Sequence, residues 1–252
     1  MVTEHPGQEQ ISGLRQLWKL AFGDTDTFLD IFFDRAFSLD RCLCTWEADT
    51  VLAALYWFDC EVWGRKIAYL YAVATHPAYR GRGLCHRLME SVHEILGARD
   101  YAGVILVPQE ENLRKFYGGM GYRDCGGVAE QFCTAAETAV SIRQVDAVTY
   151  GILRRTLLPQ GGVCQEGENL RFLEATAKLY AGEDFLLAAS EQDGALWAME
   201  LLGNTEAAPG ILRALDYDAG TFRMMGTAQP FGMFLPLTQD IRMPEYFGHA
   251  YD

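Results

Sequence analysis

Apolar residues recur at helical spacing in two stretches near the start of the chain. The first runs from Gln8 to Phe22 and the second from about Thr27 to Phe37. Two extended apolar runs follow, Arg41 to Glu47 and Thr50 to Val62, which are joined by the short step Ala48-Asp49. The pattern predicts two helices followed by an antiparallel pair of strands.

The stretch from Ile67 to Leu96 carries the strongest pattern in the chain. Ile67 to Thr75 is apolar at successive positions, which is typical of a central strand that is covered on both faces. A turn then leads into the basic glycine loop Arg80-Gly-Arg-Gly83, and apolar residues recur at helical spacing from Leu84 to Leu96. We predict a strand, a glycine loop and a helix in direct succession.

The loop has the composition of a phosphate-binding turn. Glycines let the backbone approach a ligand, and the first N–H groups of a helix have no partner within it and favour an anion. A P-loop would need Lys and Ser or Thr after Gly83, where this chain has Leu84 and Cys85. A dinucleotide fingerprint would need a third glycine where His86 stands. The pattern that remains is Arg80-x-x-Gly83-x-Cys85.

A second motif follows about twenty residues after that helix. The run from Gly103 to Pro108 is short and apolar and predicts a buried strand. It is followed by Gln109-Glu-Glu-Asn-Leu-Arg-Lys and by the pattern Phe116-Tyr117-x-x-x-Gly121-Tyr122.

The two motifs together resemble those of the GCN5-related N-acetyltransferases (GNAT). That family's acyl-CoA diphosphate motif is usually Gln/Arg-x-x-Gly-x-Gly/Ala, and its second signature is Phe/Leu-Tyr-x-x-x-Gly-Phe/Tyr. Cys85 departs from the small last residue of the first motif, and Asn112 lies two residues nearer to Tyr117 than is commonest. In motif style the chain is most similar to amine acetyltransferases of the enhanced-intracellular-survival type.

The resemblance implies an α/β fold, called α+β in some schemes, with a mixed and mostly antiparallel sheet flanked by helices. It implies transfer of an acetyl group from acetyl-CoA to an amine by direct attack through a tetrahedral intermediate. Tyr117 would be the catalytic general acid that protonates the departing thiolate. The residues implied to bind acetyl-CoA are Val73, Ala74, Thr75, Arg80, Gly81, Arg82, Gly83, Leu84, Cys85, His86 and Asn112.

Several alternatives remain open at the level of sequence. The glycine loop is also compatible with a plain strand-to-helix turn, and Tyr117 with a tyrosine of the core. No general base is evident; the candidates, besides a water chain, are Glu110, Glu111, Tyr69, Tyr71 and His76. The second function class is a catalytically inactive CoA-binding regulatory or structural module.

Past Tyr122 the pattern predicts two helices, a hairpin across Gln192-Asp-Gly194, a short helix and two strands. The helices are expected at Gln144 to Leu157 and at Asn169 to Tyr180. We predict an acetyl-CoA-binding GNAT domain at residues 1–135 and a degenerate GNAT-like domain at 136–252, which completes the sheet or walls the acceptor site. The alternative is an unrelated α+β lid.

Composition narrows the expected partners. The formal charge of −13 over 252 residues disfavours nucleic acid and is compatible with a cationic amine, such as a polyamine, an amino sugar or a basic peptide. We expect no membrane span, no signal peptide and no metal site, because apolar runs are short and the seven cysteines are scattered. Reduced cysteines and a cytoplasmic location are expected, and the oligomeric state is left open.

Overall fold

The computed structural model describes residues 1–251, and Asp252 lies outside the described residues. Contacts between residues divide the chain into two compact units. The first unit comprises Met1–Cys60, Arg65–Leu106 and Pro236–Ile241. The second comprises Glu61–Gly64, Val107–Leu235 and the chain from Arg242 onward.

The first unit alternates helices with strands of a small mixed sheet. Its elements are β1 (Val2–Glu4), α1 (Ile11–Phe22), α2 (Asp26–Arg35), β2 (Cys42–Glu47), β3 (Thr50–Val62), of which the last two residues belong to the second unit, β4 (Arg65–Thr75), α3 (Leu84–Ala98) and β5 (Gly103–Leu106). The strands stand in the order β1-β2-β3-β4-β5. β1 pairs with β2 and β2 with β3 in antiparallel fashion, whereas β4 and β5 are parallel.

The ends of the first helices follow from local chemistry. Gly23 adopts a left-handed conformation (φ 78°) after α1, and its N–H donates to the carbonyl of Lys19. Thr25 caps α2, because its side chain accepts a hydrogen bond from the N–H of Phe28. α1 buries Leu14 and Trp18 and packs against β4, as α3 also does. The core of this unit therefore forms around β4.

The second unit contains the remaining elements. They are α4 (Glu111–Gly118), β6 (Arg123–Thr134), β7 (Arg143–Gln144), α5 (Ala147–Leu157), β8 (Cys164–Gln165), α6 (Glu168–Thr176), β9 (Lys178–Ala181), β10 (Phe185–Gln192), β11 (Ala195–Gly203), α7 (Ala208–Ala214), β12 (Ala219–Met225) and β13 (Gln229–Pro236), whose final proline belongs to the first unit.

The sheet of the second unit is mostly antiparallel. Its strands stand in the order β13-β6-β12-β11-β10-β9-β7, and only the β11–β12 pair among the strands of this order is parallel. α7 packs against β6 and β12, while α5 packs against β9, β10 and β11. The predicted fold class, a mixed and mostly antiparallel sheet flanked by helices, is confirmed.

Two sequence-based expectations for this half need correction. The helix expected from Asn169 to Tyr180 ends at Thr176, and Lys178–Ala181 is instead the strand β9, paired with β10. The twelve-residue strand β6 was not predicted, because its start, Arg123-Asp-Cys-Gly-Gly, is poor in strand-forming residues. Pairing with β12 and β13 on its two sides supplies the stabilisation that local sequence lacks.

The compact units do not coincide with the predicted division at residue 135, because α4 and β6 belong to the second unit. The predicted division separates two halves of similar fold, and a division based on contacts between residues does not test it. It therefore stays a prediction. None of the helices formed by the described residues is long and apolar enough to cross a membrane.

Candidate active site

The strand β4 changes character over its last residues. Its parallel pairing with β5 covers Ile67, Ala68 and Tyr69, and within the described residues it goes no further. Ala72 adopts φ 49°, a left-handed conformation that costs a residue with a Cβ roughly 1–2 kcal/mol. The last residues of β4 are therefore not paired with β5, and they include Val73, Ala74 and Thr75, which the resemblance implies bind acetyl-CoA.

The turn after β4 is held by short-range hydrogen bonds. The N–H of His76 donates to the carbonyl of Leu52 at 2.8 Å. The Nδ1 atom of His76 accepts a hydrogen bond from the N–H of Ala78 at 3.2 Å and so caps a turn of 3-10 helix. Arg80 then folds back, with Nε donating to the carbonyl of Thr75 at 3.3 Å. His76 therefore has a structural role in this turn.

Two glycines of the loop adopt a left-handed backbone conformation, which a residue without a Cβ reaches at little cost. Gly81 has φ 76° and Gly83 has φ 72°. A Cβ at Gly81 would meet no atom within 4 Å, so the loop is open on that side. Gly83 is the N-cap of α3 and has no side chain to bond the first-turn N–H groups. Those donors are therefore available to a ligand.

Three arginines lie at this turn or in the helix turn that follows it. Arg80, Arg82 and Arg87 are exposed, and none forms an ion pair with a carboxylate of residues 1–251. Their side chains donate to main-chain carbonyl groups, which leave the positive charge unneutralised. The turn is a concentrated positive site in a chain of net charge −13.

The remaining loop residues support the backbone rather than offer reactive side chains. Leu84 is buried and anchors α3 in the core. Burial raises the pKa of the Cys85 thiol to about 11, so this thiol is protonated at neutral pH and is a poor nucleophile. His86 Nδ1 lies 3.3 Å from Glu90 Oε2 one helical turn further on. The side chain of Thr75 carries a buried Oγ1 that has no hydrogen-bond partner within residues 1–251.

The other predicted site residues lie in the second unit. Tyr117 is only 6% exposed, near the end of α4, and its ring is 5.2 Å from that of Phe116 and 5.7 Å from that of Tyr122. Asn112 is exposed in the first turn of α4, and its Oδ1 accepts the N–H of Leu113 at 2.9 Å. The loop residues 80–86 and the strand end 73–75 belong to the first unit.

A cavity of about 610 Å³ also lies in the second unit. Two of its lining residues, Glu110 and Glu111, are candidates for the general base. Arg114, which also lines the cavity, forms an ion pair with Asp124 at 2.5 Å. Arg223 in the same wall donates to Glu130 at 3.1 Å and lies between the rings of Trp197 and Phe231. The volume is in the usual range for a small-molecule site.

No group of three or more His, Cys, Asp or Glu residues within 1–251 is arranged to hold a metal ion. None of the seven cysteines forms a disulfide in this part of the chain.

Arg87 is the residue at this site that the motif analysis missed. Its Nη1 donates to the carbonyl of Arg82 at 3.2 Å, and the same atom would lie 3.1 Å from a Cβ at Gly83. The available signal was its spacing, because a residue four positions after Gly83 lies one helical turn along α3 and its side chain points back toward the helix start.

Comparison with known sequences gives one match, in the N-terminal half of the chain. Residues 4–125 match the sequence model of the acetyltransferase (GNAT) domain. No protein with a curated function matches the chain.

Several solved structures share the fold over nearly the whole chain. A GCN5-related N-acetyltransferase from Anabaena variabilis ATCC 29413 aligns with a TM-score of 0.76 at 15% identity, covering 94% of this chain and 73% of its own. One from Kribbella flavida aligns with a TM-score of 0.71 at 20% identity, covering 92% and 70%. Eis1 from Mycobacterium abscessus aligns with a TM-score of 0.70 at 12% identity, covering 94% and 74%.

At these identities the structural likeness establishes the fold alone. The second half of the chain is included in the structural alignments although it lies outside the sequence match. The chain therefore has the fold of the GNAT acetyltransferases, and its residues 4–125 match the model of their acetyltransferase domain.

Proposed function

We propose that this protein is an N-acetyltransferase that moves an acetyl group from acetyl-CoA to an amine. The observation that carries the proposal is the turn from Arg80 to Gly83, where the open start of α3 coincides with three arginines that have no carboxylate partner within residues 1–251. Amide N–H groups at a helix start together with guanidinium groups are suited to a diphosphate.

The residues present fit acetyl-CoA by two further criteria. The loop is open at Gly81, where even an added Cβ would meet nothing within 4 Å, so a phosphate can approach the backbone. The unpartnered, buried Oγ1 of Thr75 is a polar atom at the end of β4 that lacks a hydrogen bond within residues 1–251. Acetyl-CoA supplies the activated thioester. Residues of the chain bind it and donate or accept the protons that the reaction transfers.

The proposed reaction is a direct displacement. The amine nitrogen attacks the thioester carbonyl carbon, and backbone N–H groups near Val73 and Thr75 stabilise the negative charge that develops on the carbonyl oxygen. The C–S bond then breaks, and the thiolate takes a proton from the hydroxyl of Tyr117. The proton that the amine loses goes to a general base, so that the products are an amide and free CoA.

The identity of the base stays open among the candidates from the sequence. His76 is the weakest, because its Nδ1 already accepts a hydrogen bond from the turn that it caps. Glu110 and Glu111 gain support from their place in the wall of a cavity large enough for a small molecule. Tyr69, Tyr71 and a chain of water molecules are the other candidates.

We propose an amine as the acceptor, with a cationic compound compatible with the charge of −13. We also propose that residues 136–252 are a degenerate GNAT-like half that completes the sheet or walls the acceptor site. In support, this half contains the predicted helices and hairpin, now α5, α6 and β10–β11, and five of its strands are neighbours in the order β12-β11-β10-β9-β7.

The second candidate function is a CoA-binding module without turnover. The absence of an evident general base and the departures at Cys85 and Asn112 favour it, whereas a tyrosine at the family's position, Tyr117, favours the enzyme. The two candidates differ in one measurable property, the production of acetylated amine.

An assay with purified protein, acetyl-CoA and a panel of polyamines, amino sugars and basic peptides separates them. Release of free CoA thiol and formation of N-acetylated product are measured together, and we expect equal amounts of each with at least one acceptor. Saturable CoA binding without any acetylated product would favour the inactive module. Failure to bind CoA at all would remove the proposed role of the loop.

A further inference from the structure

The second half of the chain repeats the connection that carries the proposed coenzyme site. In the first half β4, α3 and β5 follow one another, and the two strands pair in parallel over three residues each. In the second half β11, α7 and β12 do the same, and their parallel pairing also covers three residues on each strand, ending at Ala198 and Phe222. Ligands of open α/β sheets bind outside the carboxyl ends of the strands. The carboxyl ends of β11 and β12 thus correspond in connectivity to those of β4 and β5.

A segment of the chain itself, residues 246–250, lies at this place in the second half. The sheet puts β12 between β6 and β11, and the segment contacts both of these neighbours. On the β6 side, a Cβ at Gly126 would lie 3.0 Å from the N atom of Phe247. Gly126 lies two residues beyond Val128, which pairs with Met225, the last residue of β12. This contact is therefore just past the carboxyl end of β12.

On the β11 side, the segment contacts one carboxylate from three positions. Glu200 lies two residues beyond Ala198, where the pairing of β11 with β12 ends. The hydroxyl group of Tyr246 donates to Glu200 Oε1 at 3.2 Å, and Nδ1 of His249 lies 3.5 Å from Oε2. A Cβ at Gly248 would be 1.8 Å from Oε1, so only a residue without a side chain lets the backbone pass here. Both sets of contacts lie on the carboxyl-end side of the parallel pair.

The segment is buried as a bound peptide would be. All five of its residues are buried, yet in the described part of the chain residues 247–251 belong to no helix or strand. Nε2 of Gln165 donates to the carbonyl of His249 at 3.1 Å, and the N–H of Val163 donates to the carbonyl of Tyr246 at 2.8 Å. An irregular segment that is held by such contacts opens at a lower cost in free energy than a strand inside a sheet.

We propose that residues 246–250 are an intramolecular ligand of the second half, which fills the crevice at the carboxyl ends of β11 and β12 and closes it to other molecules. The likeness of this crevice to the coenzyme site rests on the proposed GNAT-like character of residues 136–252, whereas its occupancy does not. The N-cap of α7 is Ala207, where α3 has Gly83, so the second half lacks the glycine turn of the proposed phosphate site. The chain therefore has one coenzyme site.

Hydrogen–deuterium exchange of the unmodified protein is the first test. If the segment is a separable ligand, the backbone amides of residues 247–250 should exchange about tenfold or more faster than the slowest amides of β10 and β11, through openings that leave the sheet folded. Equal rates would show that the segment opens only together with the sheet, and they would overturn the proposal.

The second test cuts the covalent link to the segment in the folded, full-length chain. Gln239 is exposed, so a protease site can be inserted after it. Native mass spectrometry should show that the fragment of residues 240–252 stays bound, and an excess of the same peptide with a fluorescent label should replace it. The uncut chain should bind no peptide, because its own segment is present at a much higher effective concentration. Loss of the fragment with no binding of added peptide would contradict a ligand-like contact.

Peptide variants test the contact with β11. Tyr246→Phe removes the hydroxyl group that donates to Glu200, and since hydrogen bonds to charged groups are among the stronger ones, this peptide should bind about tenfold or more weakly. Glu245→Gln is the matched control, because Glu245 is exposed, and its affinity should stay within about twofold of the unchanged peptide. Equal affinity of the Tyr246→Phe peptide and the unchanged peptide would overturn the assigned contact.

Calorimetric titration with CoA separates this inference from the proposed function. We expect one CoA per chain, whereas two would show that the second crevice is open and would overturn the proposal. If no CoA bound, the proposed function would fail, and hydrogen exchange with peptide replacement would still decide the role of the segment. If the cut chain did not stay folded, exchange in the unmodified protein would decide.

Discussion

Arg154 and Glu200 form a doubly hydrogen-bonded ion pair that is fully buried in the second unit. Nε donates to Oε2 and Nη2 to Oε1, each at 2.8 Å, and the residues are 1% and 0% exposed. The hydroxyl groups of Tyr150 and Tyr246 also donate to the same carboxylate, at 2.9 and 3.2 Å. The pair thus ties α5 and β11 to the C-terminal segment of the chain.

Glu200→Gln should destabilise the protein strongly, because it leaves Arg154 buried without a counter-charge. The expected loss is about 3–5 kcal/mol in the free energy of unfolding. Urea unfolding monitored by tryptophan fluorescence measures it. The matched control is Glu166→Gln, which breaks an exposed pair with Arg155 and should cost no more than about 1 kcal/mol. Equal losses in the two variants would contradict the structural role of the buried pair.

Stability should fall as the pH drops from about 6.5 toward 4. Burial lowers the pKa of His93 to about 4, so the folded state binds fewer protons than the unfolded state across this range. Burial likewise lowers the pKa of His249. We expect His93→Gln to reduce the dependence of the unfolding free energy on pH, with a remainder due to His249 and, near pH 4, to carboxyl groups of lowered pKa such as Glu200. An unchanged slope in His93→Gln would argue against the depressed pKa.

Gly83→Asp should abolish binding of CoA. The new carboxylate would stand at the start of α3, where a like charge against the diphosphate costs several kcal/mol, and affinity should fall by more than about a hundredfold. Gly23→Asp is the matched control, because Gly23 is also left-handed and also adjoins a helix in the first unit. Its affinity should stay within about twofold of the wild type. Undiminished CoA binding by Gly83→Asp would refute the proposed phosphate site.

Tyr117→Phe should slow acetyl transfer much more than it weakens CoA binding. Loss of a general acid typically lowers the rate about a hundredfold or more. Steady-state kinetics give kcat, and calorimetry gives the affinity for CoA. Tyr122→Phe is the control, because its buried ring packs 5.7 Å from that of Tyr117. Equal turnover by Tyr117→Phe and the wild type would remove Tyr117 from the mechanism.

Much of the secondary structure could be predicted from local pattern. The strand pair Cys42–Glu47 and Thr50–Val62, the strand ending at Thr75 and the helix from Leu84 appear where apolar periodicity indicated. The hairpin of β10 and β11 turns at Asp193 and Gly194, both with positive φ, as the Asp-Gly step predicts. These features depend on residues close together in sequence.

The misses share a different cause. β6 contains Gly126 and Gly127 and forms because β12 and β13 pair with it from about a hundred residues away. The segment Lys178–Ala181 continues the apolar periodicity of the helix before it. It forms the strand β9 because its backbone pairs with that of β10. Local propensity is weak in both segments, and pairing with distant strands overrides it.

The sequence by itself determined the glycine turn and the helix that follows it, because the residues of a turn are neighbours in the chain and their chemistry is visible there. Only the tertiary structure decided which charges are neutralised, because ion pairs join distant residues such as Arg65 and Asp240. It therefore also decided that Arg80, Arg82 and Arg87 keep their charge for a ligand. Burial and pairing depend on what the fold brings close, and no local pattern records that.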